Sequence, residues 1–176
     1  MTSVVPKAEK VIGLQPLHMA RPSRNSDPSS IRAQLRTFFV TSKTSQGKAL
    51  LQSERMASLL IDVLRSYVSA GKFKIHDFVI MPNHVHLLIT VDWNMSIEKA
   101  VQLIKGNFSY RVKKELGYQR EVWQRGFSED QVMDRESFLK HKAYIDNNPV
   151  KAGLADAPGK WPYCSLFLRK AKARSG

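Results

Sequence analysis

The sequence predicts an α+β fold in which an antiparallel sheet is covered on one face by two helices. Apolar stripes with helical spacing alternate with short apolar runs rich in valine, isoleucine and phenylalanine. Turn residues such as glycine, proline and asparagine separate these segments. The resulting order is β-α-β-β-α-β followed by a C-terminal helix, which is the order of a ferredoxin-like sandwich.

The first three elements are predicted from their apolar patterns. Residues 31–44 form a strand, and residues 49–70 carry an apolar stripe at helical spacing. Gly71 is expected to end this helix, as glycine often does. Residues 73–81 form the second strand.

The next elements begin at the turn formed by Pro82-Asn83. Residues 84–92 are long and apolar, as expected of a central strand. Residues 96–116 form the second helix, with Ser96 as its N-cap and Gly117 as its stop.

The last elements are a strand and a helix. Residues 122–132 are a mixed segment that we predict to be a strand. Asp134 can cap a helix over residues 135 to about 147, which we expect to stop before Pro149 because the residue before a proline avoids helical geometry.

The length predicts one domain with tails. Residues 1–30 contain four prolines and many small or polar residues, so we expect a disordered tail. Residues 31–158 are expected to form the folded domain. Residues 159–176 are expected to be a tail that is first aromatic and then basic.

The charge balance favours a nucleic-acid partner. Lys and Arg number 28 against 15 Asp and Glu, a net charge of +13, and such an excess attracts polyanions. The single cysteine, Cys164, excludes an internal disulfide and a cysteine-rich zinc site. We find neither a run of eighteen apolar residues nor a signal peptide, so we expect a cytoplasmic protein without a membrane span.

His84-Val85-His86 begins the third predicted strand. Alternate side chains of a strand share a face, so the two imidazoles lie roughly 7 Å apart along it. That spacing lets them share one metal ion. The alternative is a pair of half-buried strand histidines that binds nothing.

The last predicted helix carries a second motif. Tyr144 and Asn148 are four residues apart and share a helix face, and His141 lies on roughly the same face. Such a face can direct a phenol and an amide oxygen to one point. The alternative is an ordinary helix end, with Tyr144 packed on the sheet and Asn148 capping the C-terminus.

Four motifs in order resemble one protein family: His84-Val85-His86, residues 122–127, residues 144–154 and Trp161-Pro162-Tyr163. Over residues 31–168 the chain resembles the single-tyrosine HUH transposases, specifically the REP-associated tyrosine transposases. These proteins cleave single-stranded DNA next to a hairpin and become joined to the 5′ phosphate through a tyrosine. The resemblance thus implies a DNA-nicking and strand-transfer enzyme associated with the nucleoid.

The resemblance also assigns the site. It implies that His84, His86 and Asn148 bind a metal and that Tyr144 is the nucleophile. A mixed nitrogen and oxygen ligand set fits Mn²⁺, while cellular abundance favours Mg²⁺. His141 is a candidate helper for the tyrosine, or else a surface or packing residue.

The DNA partner is expected to be single-stranded with a REP-like hairpin, bound by a monomer rather than a dimer. Asp130 is a departure from the family, since many relatives carry a histidine there. The residues expected to bind DNA are basic: Lys105, Arg111, Lys113, Lys114, Arg125, Lys151, Arg169 and Lys170.

Three other functions are alternatives for this sequence. An RNA-recognition module stacks bases on aromatic residues of its central strands, and residues 84–92 contain none. A two-histidine phosphoesterase needs paired His-x-Ser/Thr motifs, which the chain lacks. A domesticated protein that binds DNA hairpins with little or no transposition activity is the remaining alternative.

Overall fold

The computed structural model describes residues 35–174. Its four strands form one antiparallel sheet in the order β2-β3-β1-β4, which confirms the predicted ferredoxin-like fold. The strands are β1 (Arg36–Lys43), β2 (Lys74–Met81), β3 (His84–Val91) and β4 (Ser128–Val132). The helices are α1 (Glu54–Ser69), α2 (Ile97–Leu116), α3 (Arg135–Lys151) and α4 (Ser165–Arg174).

The main core lies between the sheet and the first two helices. Val40 of β1 and Leu87 of β3 are buried there against Leu60 of α1 and Phe108 of α2. Alternate residues of β1 and β3 point to this face, which leaves their neighbours for the opposite face.

Both predicted ends of α2 and the predicted start of α3 are confirmed. The Ser96 hydroxyl accepts a hydrogen bond from the Lys99 N–H at 3.1 Å and caps α2. Gly117 ends α2 in the left-handed conformation, at φ 69°. The Asp134 carboxylate accepts a bond from the Ser137 N–H at 2.7 Å and caps α3.

The last two helices cover the opposite face of the sheet. A smaller apolar cluster there joins Val79 and Leu88 of the sheet to Ile145 of α3 and to Cys164. Cys164 also makes an isolated bridge to Val79, at the outer edge of β2. Much of the expected C-terminal tail is therefore helical and packed against the domain.

Helix α3 does not stop before Pro149, so that expectation was wrong. The helix continues through the proline to Lys151. Pro149 lies in the last turn, where its missing N–H removes a single helical bond, and its carbonyl accepts the Leu154 N–H at 2.8 Å. Asn148 therefore stays helical, one turn beyond Tyr144.

The predicted strand over residues 122–132 is shorter than expected. Only Ser128–Val132 pairs with β1, and Trp123 contributes one isolated bridge to Thr44. Gly126 adopts φ 70°, which turns the chain between these two contacts.

The helix predicted over residues 49–70 begins later, at Glu54, after a short 3₁₀ turn at Leu50–Gln52. Residues 1–30 and the first residues of the strand predicted from Ile31 lie outside the described part of the chain. Within residues 35–174, no helix combines the length and apolar character that crossing a membrane requires.

Candidate active site

The two histidines stand side by side at the start of β3. His84 and His86 share the α3 face of the sheet, with ring centres 4.7 Å apart, while Val85 is buried on the other face. On the neighbouring strand β1, Lys43 pairs with His84 and Thr41 pairs with His86. The pleat thus gathers four polar side chains at one end of the sheet.

Hydrogen bonds orient both imidazoles. The carbonyl oxygen of the Asn83 side chain lies 2.7 Å from Nδ1 of His84 and can only accept, so this Nδ1 carries the proton. The Thr41 hydroxyl lies 2.7 Å from Nδ1 of His86. The Nε2 atom of His86 is buried and has no hydrogen-bond partner within residues 35–174. The Nε2 atom of His84 therefore carries a lone pair, and that of His86 does so in the tautomer whose Nδ1–H donates to Thr41.

Both histidines are held neutral. Burial, and to a smaller extent His84, lower the pKa of His86 to about 3. Burial and the charge of Lys43 also lower the pKa of His84 below its usual value. Neutral imidazoles are the form that binds metals, so the pair is ready for a cation at neutral pH.

Helix α3 brings Tyr144 to the histidines. Its ring centre is 5.2 Å from that of His86, in an edge-to-face arrangement. Phe39 of β1 supports both rings, at 5.6 Å from Tyr144 and 5.2 Å from His86. Tyr144 is 43% exposed, so the phenol faces solvent while its base is packed. The Lys151 ammonium lies 5.6 Å from the centre of the tyrosine ring.

His141 and Asn148 occupy the same helix as Tyr144. His141 packs on Phe39, with ring centres 4.6 Å apart, and its Nδ1 is buried without a hydrogen-bond partner in the described chain. Burial lowers the pKa of His141, although Asp130 acts to raise it. Asn148 is half-buried one turn beyond Tyr144.

The donor set fits a divalent cation. Two neutral imidazole nitrogens are fixed by the sheet, and the half-buried Asn148, one turn beyond Tyr144, carries an amide oxygen of the kind that can bind such an ion. Residues 35–174 contain no cluster of three His, Cys, Asp or Glu side chains that could hold a metal. A closed structural zinc site, which needs four protein ligands, therefore does not fit this part of the chain.

Comparison with known families identifies the family of this chain. Residues 34–148 match the family model described as "Transposase IS200 like", which covers β1 to α3 and hence both histidines and the tyrosine. The chain belongs to the IS200-like transposase family.

The transposase also resembles individual REP-associated proteins, as its motifs predicted. It is 30% identical over 143 residues to a Haemophilus influenzae protein classed with the REP-associated tyrosine transposases, covering 70% of this chain and 80% of the relative. The REP-associated tyrosine transposase of Escherichia coli K12 is 26% identical over 135 residues, covering 75% and 76%. A solved REP-associated tyrosine transposase bound to a REP hairpin superposes with a TM-score of 0.61 and 25% identity, covering 78% and 81%.

The basic residues expected to bind DNA lie in separate places on this transposase. Lys113 and Lys114 are on α2, on the face of the sheet away from the histidines. Three of the others have local partners. Arg111 pairs with Glu115 at 2.6 Å, Lys105 donates to the carbonyls of Gln124 and Gly126, and Lys170 donates to the Pro158 carbonyl at 3.3 Å.

Two of the expected residues lie close to the histidine end of the transposase. Lys151 contacts the tyrosine ring. Arg125 lines a cavity of about 290 Å³ together with Thr41 and Lys43. Arg169 instead approaches Asp77 on β2, with 3.4 Å between Nη2 and Oδ2.

Sequence analysis missed Thr41 and Asn83, which orient the histidines, and Lys43, whose charge lowers the pKa of His84. Alternation along β1 predicts that Thr41 and Lys43 share a face. Only the register of β1 with β3 shows that this face meets the histidines. Asn83 was assigned to the turn, and its position next to His84 was the available signal.

Proposed function

We propose that this transposase nicks single-stranded DNA beside a hairpin and becomes covalently joined to the 5′ phosphate through Tyr144. The observation that carries this proposal is the 5.2 Å contact between the rings of Tyr144 and His86, on a histidine whose Nε2 is unpaired within residues 35–174. A nucleophile and a metal ligand thus lie next to each other at an open surface.

His84, His86 and Asn148 would hold the divalent cation, Mg²⁺ or Mn²⁺. When bound, such an ion neutralises a non-bridging phosphate oxygen and orients the phosphorus for in-line attack. The histidines are oriented by other residues of the chain. Asn83 and Thr41 bond the Nδ1 atoms, so both imidazoles are fixed in orientation before DNA arrives.

Tyr144 supplies the attacking oxygen. A bond forms between its phenolic oxygen and phosphorus, and the bond between phosphorus and the 3′ oxygen breaks. The phenol gives up its proton, and the leaving 3′ oxygen takes one up. His141 is neutral above its lowered pKa and has an unpaired Nδ1 in the described chain, so it is a candidate proton acceptor.

Lys151 supports the same step electrostatically. Its ammonium lies beside the tyrosine ring, where a positive charge stabilises the phenolate that forms during attack. Because the phosphotyrosine bond conserves the energy of the phosphodiester, the freed 3′ hydroxyl can reverse the reaction, and strand transfer needs no ATP.

The DNA is proposed to cross the histidine end of the sheet. The cavity lined by Thr41, Lys43 and Arg125 lies next to the histidines and offers two cations to the nucleotide beside the cleaved phosphate. The REP hairpin in the similar solved structure supports a hairpin as the DNA form. We propose that a monomer acts, because α3 places Tyr144 over its own sheet.

The test is formation of a covalent protein–DNA adduct. We expect wild-type protein, single-stranded hairpin DNA and Mn²⁺ or Mg²⁺ to give an adduct that resists SDS, and we expect Tyr144→Phe to form none. Tyr110→Phe is the matched control, because Tyr110 is 62% exposed on α2 and lies away from the histidines. The control is expected to keep the wild-type yield.

An equal adduct in Tyr144→Phe would refute the assignment of the nucleophile. Hairpin binding without any adduct, with either metal, would favour the alternative of a domesticated hairpin-binding protein.

A further inference from the structure

The buried carboxylate of Asp77 takes no part in the chemistry proposed above. Asp77 lies on β2 and is fully buried. The pairing of β2 with β3 shifts register between Ile75 and Asp77, so His76 forms a bulge. As a result, two successive side chains reach α3. The His76 ring contacts Phe138 at 5.3 Å, and Asp77 meets Lys142.

The Asp77 carboxylate connects three elements. Its Oδ2 accepts from the Lys142 ammonium of α3 at 2.9 Å and lies 3.4 Å from the Arg169 guanidinium of α4. Its Oδ1 accepts the Phe78 N–H at 3.1 Å and the hydroxyl proton of Ser165. A buried carboxylate with this many donors is fixed in position.

Lys142 is also held from its own helix. Its ammonium lies 2.7 Å from the Asp146 carboxylate, one turn along α3. Burial lowers the pKa of Lys142, but hydrogen bonds to Asp146 and Asp77 raise it by more. Lys142 therefore stays charged. Two carboxylates and two cations, those of Lys142 and Arg169, balance each other at this junction.

Lys142 and Tyr144 flank the buried stripe of α3 on opposite sides. At 3.6 residues per turn, His141 and Ile145 face the sheet, with Lys142 on one flank and Tyr144 on the other. The flank of Lys142 meets β2, and the flank of Tyr144 meets β3. Rotation of α3 about its axis would therefore break the first contact and move the tyrosine away from His86.

Few fully buried apolar side chains oppose such a rotation, and the aromatic contacts of α3 with Phe39 are made by partly exposed residues. Within α3 only Ile145 and Pro149 are buried. Hydrophobic contact has no strong directional preference, whereas an ion pair with a fixed carboxylate does.

We propose that Asp77 is a positioning residue that acts through Lys142 to fix the rotation of α3 and so keeps Tyr144 against His86. The proposal rests on the proposed role of Tyr144 as the nucleophile. In this proposal the ion pair of Lys142 with the buried Asp77 positions α3. Such pairs often add no stability to the fold when compared with apolar residues in their place.

The test compares Lys142→Met with Lys142→Arg and with Arg135→Met. Arg135 is the exposed first residue of α3, so its change matches the loss of one positive charge. We would measure the single-turnover rate of adduct formation at saturating hairpin DNA, together with the Kd for that DNA. We expect Lys142→Met to slow the rate at least about tenfold while the Kd stays within about twofold.

Lys142→Arg and Arg135→Met are expected to behave differently from Lys142→Met. Lys142→Arg keeps a cation for Asp77 and is expected to recover most of the rate, and Arg135→Met is expected to keep all of it. A folded Lys142→Met protein with the wild-type rate would overturn the proposal. If Lys142→Met does not fold, Lys142→Gln is the second variant, because its neutral amide binds the Asp77 carboxylate less strongly than an ammonium does. Lys142→Gln is expected to slow the rate by a smaller factor than complete loss of the donor would, and a folded Lys142→Gln protein with the wild-type rate would overturn the proposal.

A second measurement separates this proposal from the proposed function. In wild-type protein without DNA, NMR is expected to show proximity between the ring protons of Tyr144 and His86, and in Lys142→Met that signal is expected to weaken. This result does not depend on catalysis, so it would stand even if no adduct formed. An unchanged signal in Lys142→Met would overturn the positioning role by itself.

Discussion

At the scale of single residues, the candidate site joins a buried imidazole to an exposed phenol. His86 is only 4% exposed, whereas Tyr144 is 43% exposed, although their rings touch. Burial keeps the imidazole uncharged and fixed, whereas the phenol is open to solvent. Phe39 contacts both rings.

The low pKa of His86 predicts a loss of stability in acid. In the unfolded chain its pKa is about 6.5, but in the folded protein it is about 3. Between these values the unfolded chain binds a proton that the folded chain does not. The stabilising contribution is therefore complete above about pH 6.5 and falls by up to about 1.4 kcal/mol per pH unit below it.

Urea unfolding without metal, at several pH values from 6.5 to 4, would measure this slope. His86→Gln removes the titrating group, so we expect its unfolding free energy to depend less steeply on pH than that of the wild type. His84→Gln is the comparison, because His84 is only half-buried. Parallel wild-type and His86→Gln profiles would contradict the prediction.

Lys151 provides a second prediction at this scale. Replacing it by methionine removes the cation beside the tyrosine ring, an interaction of about 0.5–1 kcal/mol at an exposed site. We expect the rate of adduct formation at saturating DNA to fall by about two- to fivefold. Lys160→Met, a change at another exposed lysine, is the control for the lost positive charge. An equal fall in rate in Lys160→Met would mean that the rate depends on the general attraction of the protein for DNA and not on the contact of Lys151 with Tyr144.

At the scale of elements, a lysine of α2 holds the loop that precedes β4. The Lys105 ammonium donates to the carbonyls of Gln124 and Gly126, at 2.8 Å and 2.7 Å, and lies 5.9 Å from the centre of the Trp123 ring. Burial lowers the pKa of Lys105, as expected for an ammonium enclosed by protein. This lysine supports the loop that lines the cavity beside the histidines.

Lys105→Met is expected to loosen that loop. Losing two hydrogen bonds from a charged donor is expected to reduce the free energy of unfolding by about 1–3 kcal/mol. Amide hydrogens around Gly126 are then expected to exchange faster with solvent. Lys99→Met, at an exposed lysine on the same helix, is expected to change stability by less than about 0.5 kcal/mol. Equal exchange rates in both variants would contradict this role.

The elements that sequence predicted well are those with a strong internal pattern. Helix α2 carries its own cap and stop, Ser96 and Gly117, and β3 is a continuous apolar run. Helix α4 was missed because its surface is rich in lysine and arginine, and only Ser165 is buried within it. The predicted end of α3 was wrong because it relied on the rule that the residue before a proline avoids helical geometry. That rule does not hold at Pro149, in the final turn of the helix.

Within the candidate site, periodicity placed residues of one element correctly relative to each other. His84 and His86 share a face of β3, as alternation requires. Contacts between elements were beyond this reasoning. The bond from Thr41 to His86 depends on strand register, and the pair of Lys142 and Asp77 depends on a bulge at His76.

At the scale of the whole molecule, both faces of the sheet are covered. Helices α1 and α2 enclose the larger core, and α4 encloses the smaller cluster together with α3, the helix that carries Tyr144. Helix α4 supplies Ser165 and Arg169 to the buried Asp77. The last helix therefore contributes to the support of the site as well as to the fold.

Ending the chain at Tyr163 is expected to destabilise the protein by more than about 3 kcal/mol. The truncation removes two partners of a buried carboxylate and uncovers Val79. A chain that ends at Lys172 retains these contacts and is the control. Urea unfolding of the two proteins would measure the difference, and equal midpoints would show that α4 is dispensable.

The outer strand β4 has a consequence for how copies of the molecule meet. It is only five residues long, it forms one edge of the sheet, and it exposes Glu129 and Asp130. Two molecules approaching along these edges would bring acidic side chains together, while the far edge at β2 is occupied by Cys164. Edge-to-edge pairing between the sheets of two copies is therefore disfavoured at both ends of the strand order, and each copy is expected to keep its own four-stranded sheet.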